Sequence, residues 1–149
     1  MYTEQLTQAL SLPAKSLYPA NLATNANAYV VGPLSTAIFR RLMAHIVMGA
    51  FSATNVQAVF QSSNANNGTF ANVPNGPSIT GNAANTEYTL EMRADQVPAG
   101  NSWVQLAVFV NGGTAAFLSA SLYCGESGYH PGNQYDMNTT LMPTRSVMA

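Results

Sequence analysis

Few side chains in this sequence could do chemistry: two histidines, one cysteine and six carboxylates among 149 residues. His45 lies in an apolar stretch, where a histidine could hold a metal or respond to pH. No HxH or HxxxH spacing gives it a partner, so a hydrogen-bonded structural histidine is the favoured reading. His130 falls between Tyr129 and Pro131, a position that suits a hinge or a surface. Cys124 ends an apolar run with no histidine near it and reads as a small buried hydrophobe; a lone cysteine makes neither an intrachain disulfide nor a cysteine-rich zinc site. Glu87 and Glu91 are the nearest approach to a glycosidase pair, but that chemistry also needs a set carboxylate separation and a sugar cleft. Asp95 stands two residues after Arg93, as in a local ion pair, and the adjacent Arg40 and Arg41 suit a contact with an acidic neighbour. Asn67-Gly68-Thr69 and Asn138-Thr139-Thr140 match the glycosylation sequon, and without a secretory signal they read as chance matches. No catalytic residue, metal ligand or cofactor is expected.

That scarcity belongs to a wider deficit. Only 11 residues are charged, 7% of the chain, against about 25% in ordinary soluble domains. Yet 47% are hydrophobic. Monomers use charge to stay soluble and to keep strand edges apart, so a chain without it is expected to meet other subunits over much of its surface. The formal net charge of -1 supplies no basic field for nucleic acid. No apolar run approaches a membrane-spanning length or a signal sequence, and a soluble protein made inside the cell is expected. A mass of 15.7 kDa fits one domain with attached arms.

Amides replace the missing charge. The fifteen asparagines concentrate outside the apolar runs, and Asn64-Ala65-Asn66-Asn67-Gly68, Pro74-Asn75-Gly76-Pro77 and Asn111-Gly112-Gly113 read as turns. Between them lie alternating segments. Leu42, Ala44, Ile46 and Met48 share one face of a strand whose other face holds Met43, His45 and Val47, a pattern of a central or interfacial strand. Val56, Ala58 and Phe60 alternate with Gln57, Val59 and Gln61. Tyr88, Leu90 and Met92 oppose Glu87, Thr89, Glu91 and Arg93, a strand with one face in water. Val104, Leu106, Val108 and Val110 precede Asn111-Gly112-Gly113-Thr114, and Ala116, Leu118, Ala120 and Leu122 follow it, which predicts a hairpin. Shorter strands are expected over 28–31, 69–73 and 78–80. Seven or eight strands at this spacing predict an all-β fold, an antiparallel β-sandwich of jelly-roll type.

The ends differ from the middle. Residues 1–27 and 129–149 contain Pro13, Pro19, Pro131 and Pro143 and no sustained alternation, so they are expected to be N- and C-terminal arms around a sandwich domain of residues 28–128. Thr3 could cap a short helix bearing Leu6, Ala9 and Leu10, ended by Pro13; an extended arm is the alternative. The arms carry apolar anchors, Leu6, Leu10, Leu12, Leu17, Tyr18, Tyr135, Met137, Leu141 and Met142, which suit grooves on neighbouring chains or on their own domain. Trp103, Phe109 and Phe117 lie opposite the Val/Leu set of the final strands. With Phe51, Arg40 and Arg41 they complete the candidate contact residues.

The block Phe39-Arg40-Arg41-Leu42 leading to Ile46, then Val56-Gln57-Ala58-Val59-Phe60-Gln61-Ser62-Ser63 before an Asn/Gly loop, resembles small virion structural proteins of tailed bacteriophages. Met92-Arg93-Ala94-Asp95-Gln96-Val97, Trp103-Val104-Gln105-Leu106-Ala107-Val108 and Ala120-Ser121-Leu122-Tyr123 follow in the order such proteins use. The resemblance covers roughly residues 28–130 and leaves the arms out. It implies a non-enzymatic capsid decoration or cement protein on the virion surface, partnered by the major capsid protein and by copies of itself in a homo-oligomer, for which a trimer would suit a shell position. Gln105 departs from the pattern, since a basic residue often fills the comparable position. Competing expectations are a head-tail joining, tail or fibre-associated subunit and, from another class, a carbohydrate-binding β-sandwich module presenting an exposed Trp.

Overall fold

Two strands of 25 residues each form the spine of the computed structural model, which describes residues 10–37 and 39–127. The strands are β1 (Leu10–Ala23), β2 (Tyr29–Ser35), β3 (Phe39–Ser63), β4 (Ala71–Asn72), β5 (Ser78–Gly81), β6 (Thr86–Arg93) and β7 (Trp103–Ser127), with one 3-10 turn at Ala94–Gln96. Every pairing among them is antiparallel. The fold is all-β, as the alternation predicts.

β3 and β7 lie side by side from Phe39 opposite Ser127 to Ser63 opposite Trp103. In the first half of this ribbon, β6 adds to β3 and β1 adds to β7, giving the order β6, β3, β7, β1. In the second half, β5 and β4 add to β3, and β2 adds to β7. Buried residues from both halves join one cluster: Leu42, Ile46, Met48 and Leu122 from the first, Val56, Phe60, Val104 and Leu106 from the second. The two halves act as the layers of a sandwich whose corner is made by strands passing from one layer to the other. Each fully buried Leu, Ile or Phe contributes about 2 kcal/mol through its apolar area.

The corner has a sequence cause. Register shifts fall on both sides of Phe51, while Gly112 and Gly113 both adopt φ of +61°, which side chains with a Cβ rarely tolerate. Added Cβ atoms would collide with the Thr54 side chain at Gly112 and with the Ser52 carbonyl at Gly113. The two shifts cancel. Even-numbered residues therefore face the core on both sides of the bend, from Leu42 to Met48 and Val56 to Phe60 in β3, and from Val104 to Val110 and Ala116 to Leu122 in β7.

This arrangement corrects two readings of the sequence. The predicted hairpin across Asn111-Gly112-Gly113-Thr114 is a bend within β7: its two halves do not pair with each other, and Asn111 and Gly113 lie opposite Asn55 and Ala53 of β3. The glycines give the required positive φ, but a partner strand bending at the same level takes up the ladder bonds. The second correction concerns Leu10–Ala23, within the stretch 1–27 expected to be an arm. Leu10–Ala23 is β1, paired with β7 from Leu10 opposite Gly125 to Ala23 opposite Ala115, so this stretch is part of the sheet, and Leu10 is extended instead of helical. The shorter expected strands appear as β2, β4 and β5. Residues 1–9 and 128–149, which include the proposed C-terminal arm, lie outside the described residues.

Candidate interaction faces

Apart from Phe39, which joins the core cluster, each half of the ribbon turns its odd-numbered residues to the face opposite the even-numbered core set, with Val59 and Ala107 buried on the second of these outer faces, and the two faces differ in chemistry. On the first, Met43, His45 and Val47 of β3 lie between Tyr123, Ser121 and Ser119 of β7 and Glu91, Thr89 and Glu87 of β6. Arg41 Nη1 donates to Glu91 Oε1 at 2.9 Å, Arg93 Nη2 to Asp95 Oδ2 at 2.6 Å, and His45 Nε2 lies 3.4 Å from Glu87 Oε2. These pairs are exposed and contribute at most about 1 kcal/mol each. They arrange charge more than they hold the fold.

The second outer face carries amides. Gln105 Nε2 donates to Gln61 Oε1 at 3.0 Å, and Gln61 Nε2 donates to Asn72 Oδ1 at 3.0 Å, so one chain of side-chain hydrogen bonds crosses β7, β3 and β4. Near the corner, Asn111 Nδ2 donates to Asn55 Oδ1 at 3.0 Å. Gln105 is only 7% exposed, and its bond to Gln61 offsets the cost of removing an amide from water. Residues 16–39, 46–86 and 96–125 contain no Asp, Glu, Lys or Arg. The whole second half, with its loops, is therefore free of formal charge.

The predicted contact residues scatter over these surfaces. Tyr18 is 69% exposed and Phe117 43%. A Cβ on Gly49 would come within 3.1 Å of Phe117 Cδ1, so the Phe117 ring borders the bare backbone of β3. Trp103 and Phe109 are half-buried on the second outer face. Leu17 and Phe51 pack against the core, which reduces what either could offer a partner. Arg40 is exposed, whereas Arg41 is engaged by Glu91 inside the chain. Leu10 and Leu12 belong to β1. Leu6, Tyr135, Met137, Leu141 and Met142, with His130, lie outside the described residues. Val30, 46% exposed on β2, was not among the expected contacts. Its signal was its place beside Tyr29 and Val31, an uninterrupted apolar run.

The reactive groups do not converge. Cys124 is buried, and loss of water pushes its thiol well above the usual range. Among the described residues no three of His, Cys, Asp and Glu come together in a way that would hold a metal. The amide chain from Gln105 to Asn72 was missed in the sequence. Its trace was the odd-numbered pair Gln61 and Gln105, which becomes meaningful only once β3 and β7 are known to be partners.

No family model matches the chain, and no curated protein matches it. A chain in the solved structure of infectious bursal disease virus, Gx strain, is similar over 83% of this chain, with 13% identity and a TM-score of 0.39. This chain spans 33% of that one.

Proposed function

We propose that this protein is a non-enzymatic structural subunit of a virion, a decoration or cement protein that seats its charge-free half against the major capsid protein of a phage shell. The distribution of charge carries this reading. Every formal charge among the described residues lies on the first half or its adjoining turn: Lys15, Arg40, Arg41, Glu87, Glu91, Arg93, Asp95 and Glu126. Burying an ion against a neighbour costs several kcal/mol unless it is paired, whereas hydrogen-bonded amides and half-buried aromatics are much cheaper to cover. An outer face holding Val30, Trp103, Phe109 and a satisfied amide chain is therefore suited to contact, and the face bearing Glu87, Glu91 and Arg93 is suited to water. Repetition over a shell turns a modest single contact into a persistent one through effective concentration.

The test is imaging of intact particles that contain this chain, with its density located. Regular positions across the shell, with Val30 and Phe109 toward the capsid subunits, are the expected result. Density confined to the portal or tail overturns the decoration role, and absence of the chain from purified particles overturns the virion reading as a whole.

A further inference from the structure

An edge strand exposes N–H and C=O groups that another strand can pair with, and proteins blunt such edges with proline, charge, bulges or short length. Five described strands, β1, β2, β4, β5 and β6, pair on one side only. Four of them are blunted. β1 carries Pro13, Lys15 and Pro19 and three register shifts. β2 is broken by a shift between Val31 and Leu34, where Pro33 removes a donor. β4 has two residues, and β5 has four with Pro77 just before it. β6 has none of these devices except charge: eight residues without proline, in unbroken register with β3 from Thr86 opposite Met48 to Arg93 opposite Arg41.

The charges on β6 do not repel every partner; they select one. We propose that β6 is the seam of a homodimer, paired antiparallel with β6 of a second copy about a two-fold axis at Leu90. In that register Glu87 of each copy faces Arg93 of the other, and Thr89 faces Glu91. On the inner side Tyr88 faces Met92, an aromatic against a thioether. Sliding two residues one way sets Glu87 against Glu91 of the copy. Sliding two residues the other way sets the two Glu91 side chains against each other and Glu87 against Asp95. A slip of one residue turns the charged face of one strand to the apolar face of the other. Of these three registers that keep the charged faces together, only the Leu90-centred pairing has no like charges opposed. Like charges directly opposed destabilise a cross-strand pair, and opposite charges stabilise it. Arg93 is already held by Asp95 at 2.6 Å and Glu91 by Arg41 at 2.9 Å, so both charged rows are ordered before a partner arrives.

A two-fold seam of this kind is isologous and closes at two copies. It joins the sheets laterally and leaves the charge-free outer face open, so it stands apart from the capsid reading and survives that reading's failure. The test uses the purified full-length chain in sedimentation equilibrium over a range of concentrations. A dimer is expected. Glu87→Arg and Arg93→Glu each replace two attractive pairs by two repulsive ones and should each weaken dimerisation at least about tenfold. Mixing the two variants restores attraction at both positions, so the mixture should dimerise as tightly as the native chain. That recovery also shows that both variants are folded. A native monomer, a trimer, or a dimer indifferent to both reversals overturns the proposal, as does failure of the mixture to recover.

Discussion

Gln105 donates a hydrogen bond to Gln61 across the β7–β3 ladder at 3.0 Å, and the donor is almost completely sealed from water. The pair is a small polar lock on an uncharged layer. Removing one member strands the other. Gln61→Leu is expected to destabilise the fold by about 1–3 kcal/mol, because Gln105 keeps its burial and loses its acceptor. Adding Gln105→Leu should return most of that loss. Urea unfolding of both variants checks this, and a double variant as weak as the single one refutes the lock.

The corner makes a sharper demand. Gly113→Ala must hold a positive φ and push against the Ser52 carbonyl, so it should cost at least about 2 kcal/mol. Gly100 also has a positive φ, of +90°, but nothing lies within 4 Å of an added Cβ. Its replacement by alanine should cost about 1 kcal/mol, from backbone preference alone. Thermal midpoints of the two variants should fall in that order.

Burial raises the Cys124 thiol from its ordinary value of 9.0. The folded state then holds its proton at pH values where the unfolded chain has released it. Stability from this group is complete below pH 9.0 and declines above it, by up to about 1.4 kcal/mol per pH unit. The native thiol should resist a disulfide reagent at pH 8. Cys124→Ala should flatten the alkaline loss, measured as the difference between two denaturation series; identical slopes count against the buried thiol.

Val30 separates folding from association. It is 46% exposed, so Val30→Lys should change stability by less than about 1 kcal/mol. The same change places a charge on the uncharged layer. Its occupancy on particles should drop severalfold, read by gel densitometry against the major capsid band, and unchanged occupancy argues against that layer as the contact.

Much of the layer chemistry could be read from the chain. The even-numbered apolar series from Leu42 to Met48 and from Val104 to Val110 marked the core face, and Glu87, Thr89, Glu91 and Arg93 marked the wet one. Connectivity was harder, because Asn111-Gly112-Gly113 specifies positive φ without saying whether the chain reverses or only bends. The answer lay in a stretch far away in sequence, Gly49 to Asn55, which bends at the same level and keeps its partner. β1 was obscured in a similar way. Pro13 and Pro19 broke the alternation that would have marked it, yet both are tolerable on an edge strand. The candidate contacts were legible as residue types and not as a surface, since Phe51 and Leu17 turned out to pack inward.

The spine imposes an order on the making of the protein. β1 and β2 leave the ribosome before β7, which is their only described ladder partner and the last of the described strands. β3 waits for the same segment, with Phe39 joined to Ser127 across most of the chain. A nascent chain that stops before Trp103 therefore holds β1, β2 and β3 without their common neighbour, and the described sheet closes only once β7 has been made. Such long-range closure is slow, and until it occurs the apolar strands are exposed to other nascent copies. High-level synthesis should reward a holding chaperone more than a faster ribosome.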